Sequence, residues 1–263
     1  MISLRNRKGK NGNTEYGEEY IAISFNRSGT GSIETTEQLT QIFARIGKGY
    51  GYSQVAAEFM AFNDMKLQWQ RGYSWIDFRI SDYLCGAPEE VIEDLAKAIF
   101  AKLTGREGKF GETFIRYLTD PQVREKNRTA YLGRTSFNTD GSRGKVRDLE
   151  DSVRRLKEKG LLDPGFECEL RWKECIYEDR GKASGCTVLM GILWVNTRLD
   201  SGDVPDYVLD YAVYIAATYL VLGYRPNDMI EDERLALVER YPSKDKGEKW
   251  LRKHDMFGVG GIC

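Results

Sequence analysis

Residues 204–222, VPDYVLDYAVYIAATYLVL, constrain the fold more than any other stretch of this chain. Val208, Leu209, Ala212, Val213, Ala216, Ala217, Leu220 and Val221 recur at the helical period, which predicts one helix with a broad apolar face. Pro205 suits the first turn, where its fixed φ and missing N–H cost nothing. Asp203 and Asp206 place negative charge near the helix's positive end. Gly223 is positioned to end the helix, and Arg225-Pro226-Asn227-Asp228 reads as a turn. Asp206, Asp210 and four tyrosines interrupt the apolar run, so the segment reads as a buried core helix and not as a membrane span.

The remaining segments predict a mixed architecture. Residues 1–18 read as a disordered basic tail carrying Arg5, Arg7, Lys8 and Lys10. Residues 19–54 read as a strand–helix segment: a strand over Tyr20–Phe25, a turn at Gly29–Ser32 and a helix over 35–47 through Leu39, Ile42, Phe43 and Ile46. Gly47, Gly49 and Gly51 then suggest a flexible link. Strands are expected over 55–80, where Met65, Leu67 and Trp69 alternate and Arg71-Gly72 suits a turn. A helix runs from Pro88 and its following acids to Gly105, with further helices over 110–118, 121–132 and 146–159. Two strands, 166–176 and 185–195, are expected to form a hairpin around Asp179-Arg180-Gly181-Lys182. The pattern predicts an α+β fold, with helices packed on a small, mostly antiparallel sheet.

Composition narrows the setting. At 41% hydrophobic residues the chain can build a true core, and a net charge of −1 argues neither for nor against nucleic acid. Cys85, Cys168, Cys175, Cys186 and Cys263 are odd in number and widely spaced, which fits reduced thiols in a cytoplasm. Cys168, Cys175 and Cys186 lack the C-x2-C spacing of a metal cluster and read as structural thiols. MISLRNRKGKNGN is polar and basic, unlike a secretory signal.

Ile215 and Tyr219 lie four residues apart, on one side of the predicted helix. Two histidines at that spacing grip a zinc ion, and a glutamate between them takes a proton from metal-bound water. Isoleucine has no lone pair, alanine takes no proton, and a phenol with a pKa of about 10 is a poor zinc ligand at neutral pH.

Four segments nevertheless resemble, in order, the SprT-like metallopeptidase-related proteins. WIDFRISDYLCGAPEEVIEDLAKAIFAKLTG (75–105) is similar to their "SDxLxxAPxxVxxxLAxxL" stretch. Tyr207-Val208-Leu209-Asp210-Tyr211 is similar to their "YVLDYVVYHELLH" approach to the zinc helix. Glu231 to Pro242 is similar to "HDxxFxxLExRYP", and Glu248-Lys249-Trp250-Leu251 to "AExWL". The resemblance covers residues 55–255 or so and implies a zincin-like domain over 55–257. It places Ile215 at the first histidine, Ala216 at the general-base glutamate and Tyr219 at the second histidine: His-Glu-x-x-His is replaced by Ile-Ala-Ala-Thr-Tyr. Glu231 stands at the third ligand, and a one-residue shift would put Ile230 there. His254, the single histidine, matches none of these positions. The family's zinc is therefore expected to be lost, leaving no catalytic residues, no metal and no cofactor.

Three functions follow as expectations. The first is a pseudoenzyme that keeps the scaffold to bind a protein or peptide, with substrate able to add as a strand along a sheet edge beside the cleft. The second is nucleic-acid binding through Arg124, Lys126, Arg128, Arg134, Arg143, Lys145 and Arg147, interleaved with Tyr131 and Phe137. The third is a metal-dependent hydrolase with a non-standard site built from Asp210, Tyr214, Asp228, Glu231 and Asp232.

Overall fold

A computed structural model describes residues 7–8, 15–20, 32–176, 179–256 and 258–260. Cys263 and most of the expected Tyr20–Phe25 strand and Gly29–Ser32 turn lie outside the described residues. The chain divides into two units, Met1–Asn127 with Pro226–Asp228, and Arg128–Arg225 with Met229–Cys263. This differs from the single domain expected over 55–257, and the expected 19–54 segment falls within the first unit.

In the first unit the elements are β1 (Arg7–Lys8), β2 (Glu15–Tyr20), β3 (Ser32–Ile33), α1 (Thr36–Lys48), β4 (Gln54–Met60), β5 (Lys66–Arg71), β6 (Trp75–Ser81), β7 (Ala87–Pro88), α2 (Glu89–Leu103) and α3 (Glu112–Thr119). A five-stranded sheet runs β1-β2-β5-β6-β4. Its pairings are antiparallel except β4 with β6. The tail expected to be disordered thus supplies two strands, because Glu15–Tyr20 matches residue for residue onto the edge of β5. Leu67 and Trp69 alternate inward as the period predicted, Ile76, Phe78 and Ile80 do so along β6, and all five are buried. α1 begins with a reciprocal cap in which Gln38 N donates to Thr35 Oγ1 (3.2 Å) and Thr35 N donates to Gln38 Oε1 (3.1 Å). It packs on β4 and α2 around Phe43, Phe78 and Phe100, whose ring centroids lie 4.9–6.1 Å apart. Gly47 is part of this packing: a Cβ there would sit 2.8 Å from the Phe100 ring, so the glycine run is a helix end pressed on an aromatic core and not a flexible link.

In the second unit the elements are α5 (Leu149–Glu158), β8 (Glu169–Lys173), β9 (Ser184–Thr187), β10 (Ile192–Asn196), α6 (Asp206–Leu222), α7 (Glu231–Val238), α8 (Lys244–Lys253) and β11 (Val259–Gly260); α4 (Pro121–Arg134) contains the division between the units. The sheet order is β11-β9-β10-β8. β10 is antiparallel to β9 but parallel to β8, and β11 is parallel to β9. The expected hairpin between 166–176 and 185–195 is therefore not formed. Val188–Gly191 turns, with Gly191 at φ +61°, and splits the second expected strand into its own hairpin, β9–β10. This sheet is mostly parallel; the fold is α+β, with helices packed on two small mixed sheets.

α6 starts after Pro205 and ends at Gly223, which takes φ +66°. It packs against β9, β10, α5, α7 and α8, and is buried on every side from Val208 to Tyr219. Full enclosure means that its polar groups, as well as its apolar face, need partners inside the protein. Tyr214 Oη donates to the Leu237 carbonyl (2.8 Å), Tyr211 Oη to Glu248 (2.8 Å) and Thr218 Oγ1 to the Ile215 carbonyl (2.8 Å). Asp210 is held by Arg155 (2.7 Å) and Lys159 (3.0 Å) from the α5 side. Among the described residues, no helix is long and apolar enough to cross a membrane.

Candidate functional site

The C-terminal half of α6 carries the positions of interest. Ile215 and Ala216 belong to the main apolar core of the second unit, and Ala216 is completely enclosed. Tyr219, one turn later, leaves that cluster and packs with Cys186 of β9 and Val188. Leu220, Tyr224, Ile230 and Val259, all partly buried, surround this smaller group.

Tyr219 and Glu231, twelve residues apart and on different helices, meet the same side chain. Arg234 is what joins them. Glu231 is gripped on both oxygens by Arg234, at 3.0 Å from Nε and 2.5 Å from Nη2. The same guanidinium lies 4.7 Å from the centre of the Tyr219 ring. A guanidinium over an aromatic face gains from the ring's quadrupole, and its planar fork matches a carboxylate. The hydrogen bond from Arg234 holds the Glu231 carboxyl below the usual range, outweighing the opposing effect of burial. Burial pushes the Tyr219 phenol up to about 12, so at neutral pH it is protonated. The arrangement is a phenol, a carboxylate and a resident organic cation. Ile230, the alternative residue for the third-ligand position, packs against Tyr219 as well.

Arg234 is the participant that sequence reading missed. Its signal was available: Arg234 follows Glu231 by three residues, a spacing that pairs side chains on one helix face. Cys186 and Val188 carried no comparable signal, because their position depends on where the β9–β10 turn falls.

The expected carboxylate metal site does not assemble. Asp210 is spent on Arg155 and Lys159, Glu231 on Arg234, and Tyr214 on a backbone carbonyl. Among the described residues, no three His, Cys, Asp or Glu side chains stand close enough to hold a metal ion. None of the four described cysteines is in a disulfide, and burial pushes the Cys168 and Cys175 thiols up to about 12, which keeps them protonated and unreactive.

The basic residues expected to face nucleic acid are distributed and largely engaged. Arg124 and Lys126 belong to the first unit, and Arg128, Arg134, Arg143, Lys145 and Arg147 to the second. Lys126 Nζ donates to the Cys85 carbonyl (2.9 Å) and Arg128 Nε to the Met190 carbonyl (2.7 Å). Arg147 binds the Ser201 and Val204 carbonyls and the Asp206 carboxylate, bracing the entry to α6. The backbone amides of Lys145, Val146 and Arg147, an arrangement suited to an anion, all donate to Asp200, at 2.5, 3.0 and 2.8 Å. Tyr131, expected to stack on bases, is buried, and Phe137 packs against it. Arg143 and Lys145 remain exposed.

The two edges of the second sheet differ. Along β8, Trp172 N donates to Thr139 Oγ1 (3.2 Å), Asn138 N donates to the Trp172 carbonyl (2.8 Å), Glu174 N donates to Asn138 Oδ1 (2.5 Å) and Trp172 Nε1 donates to the Ser142 carbonyl (2.8 Å). The 138–142 segment thereby occupies the edge at Trp172 and Glu174. At the opposite edge, among the described residues, β9 pairs with the two residues of β11.

No family model, no curated protein and no solved structure matches this chain.

Proposed function

We propose that this protein is a non-catalytic relative of the SprT-like metallopeptidases, a zincin-type scaffold that binds a protein or peptide without cutting it. The observation that carries this reading is that Tyr219 and Glu231 share one partner, Arg234, which pairs with the carboxylate and lies over the ring. The resemblance assigns these two residues to the second and third metal ligands, and residues that far apart in sequence need not have shared one. A fixed guanidinium here supplies the positive charge that a metal would bring, while offering neither a Lewis acid nor an activated water. Ala216 lacks the proton acceptor that hydrolysis by the family's route needs. Partly buried Leu220, Tyr224 and Ile230 around the site suit an apolar segment of a partner. The thiols, none of them in a disulfide among the described residues, suit a reducing compartment such as the cytoplasm.

The test is reconstruction. The chain carrying Ile215→His, Ala216→Glu, Tyr219→His and Glu231→His is prepared with and without Arg234→Ala, and bound zinc is measured beside casein cleavage. The expected result is no stoichiometric zinc and no cleavage for the natural chain, and zinc bound by the rebuilt one, more tightly once Arg234 is removed. Stoichiometric zinc with chelator-sensitive cleavage by the natural chain overturns the proposal. A rebuilt chain that keeps its helical circular dichroism but binds no zinc overturns the descent from a zincin scaffold.

A further inference from the structure

In the first unit, β4 is the outermost strand of its sheet among the described residues. Its seven residues, QVAAEFM, match β6 at every position, without a bulge. They include no proline and no lysine, the residues that commonly keep an edge strand from taking on another. The one charge, Glu58, is already paired with Arg79 of β6 at 3.0 Å. An apolar edge of this kind invites strand addition unless something covers it. At Ala57, the middle residue, something does. Thr40 Oγ1 donates to the Ala57 carbonyl (2.8 Å) and accepts from the Ala57 amide (3.0 Å). A hydroxyl is donor and acceptor at once, so one side chain supplies both bonds that a neighbouring strand would make with that residue. A threonine inside a helix often turns its hydroxyl back on the carbonyl four residues earlier. Here α1 packs on β4 through its buried face, and the hydroxyl of Thr40 bonds a residue seventeen positions along the chain instead.

We propose that Thr40 guards this edge: its hydroxyl takes the place of an incoming strand at the centre of β4 and keeps a second copy of the chain from pairing there. The β4 sequence suits a second copy. Two such strands running antiparallel about Ala57 would set Val55 opposite Phe59 and Ala56 opposite Glu58, so one register complements itself. Cross-strand pairs of a β-branched and an aromatic residue stabilise such a ladder. Because Ala57 lies at the middle, its amide and carbonyl would form the central pair of bonds, and occupying them leaves only two short ends to pair. The device lies wholly within the first unit and is independent of the Tyr219 site.

The experiment compares the whole natural chain with Thr40→Ser, Thr40→Val and the double variant Thr40→Val with Ala56→Lys, by sedimentation over a range of concentrations. Serine keeps the hydroxyl; valine keeps the shape without it. The natural chain and Thr40→Ser are expected to sediment alike, while Thr40→Val forms heavier species as concentration rises. Ala56 is exposed and registers with Asp77 of β6, so a lysine there is accommodated and places a charge on the edge. The double variant is expected to sediment as the natural chain does. A Thr40→Val chain that sediments like the natural one overturns the proposal. So does association that Ala56→Lys leaves unchanged, because it would then come from partial unfolding. Hydrogen exchange on the natural chain gives a second reading that needs no variant to fold. The Ala57 amide is expected to exchange within about tenfold of the Phe78 amide, which lies on the strand between β5 and β4. In Thr40→Val, at a dilution where it is a monomer, Ala57 is expected to exchange about a hundredfold faster than in the natural chain. A natural chain in which Ala57 exchanges about a hundredfold faster than Phe78 overturns the proposal, and this reading decides alone where Thr40→Val loses the natural circular dichroism.

Discussion

The two ends of α6 handle charge in opposite ways. Near its start, Asp210 has a side chain only 1% exposed, with Arg155 and Lys159 both placed on its oxygens. Near its end, the charged pair is Glu231 with Arg234, and the Glu231 side chain is 53% exposed. A carboxylate taken wholly out of water must have its desolvation cost met by fixed partners, and those partners cannot then leave. A carboxylate at the boundary keeps much of its hydration, so its ion pair is weak and can be rearranged when something binds. The first cluster therefore fastens α5 to α6, while the second leaves a carboxylate that solvent reaches.

The comparison is broken most severely at Arg155. Arg155→Met leaves the Asp210 carboxylate enclosed with only Lys159 for company, and is expected to destabilise the second unit by about 3–5 kcal/mol. Chemical denaturation followed at the tryptophans measures this; a loss below about 1 kcal/mol would mean that water reaches Asp210 and that the two ends are not different in kind. Arg234→Met is the matching change at the other end. It removes an ion pair whose carboxylate is half exposed and a cation over a ring, each worth somewhat under a kilocalorie, so the expected loss is about 1 kcal/mol.

These two charge sites were unequally legible in the sequence. The α6 helix, its proline start and its glycine end could be read directly, because hydrophobic period and terminal residues are local signals. So could most helices and strands of the first unit. Local patterning gave no account of enclosure. An amphipathic stripe predicts one wet face, and nothing in the period says that Asp210, Tyr211 and Tyr214 on the other face are covered by α5, α7 and α8. Sheet topology was illegible for a similar reason: β8 pairs parallel to β10, a choice made by long-range packing and not by the turn at 179–182. Tyr219 and Glu231 were singled out by resemblance alone. What joins them, Arg234, follows from helix spacing only once α7 is known to start at Glu231.

A finer probe of the boundary site is Tyr219→Phe. The ring stays beneath the guanidinium while the phenol hydroxyl is lost. Because Glu231 reaches solvent and keeps both oxygens on Arg234, the expected cost is about 0.5 kcal/mol, at the low end for a neutral hydrogen bond. A cost above about 2 kcal/mol would place Glu231 in the same enclosed class as Asp210. In a double-mutant cycle with Arg234→Met the two losses are expected to fall short of additivity, since the two side chains are in contact.

The smallest expected effect is on the response to acid, and its sign follows from the direction in which Glu231 is shifted. Arg234 lowers the carboxyl's pKa in the folded chain below its ordinary value of 4.5. The stabilisation this represents is fully present above that ordinary value and disappears as pH falls through the lowered one, because the unfolded chain takes up its proton first. Melting temperature should therefore fall slightly more steeply for the natural chain than for Glu231→Gln between pH 4.5 and the lower, folded value, and the two curves should run parallel at neutral pH. High salt should shrink the difference, because ions screen a pair that is open to solvent. A difference untouched by salt would mean that the pair is shielded in the way Asp210 is, and the contrast between the two ends of α6 would fail at its most exposed point.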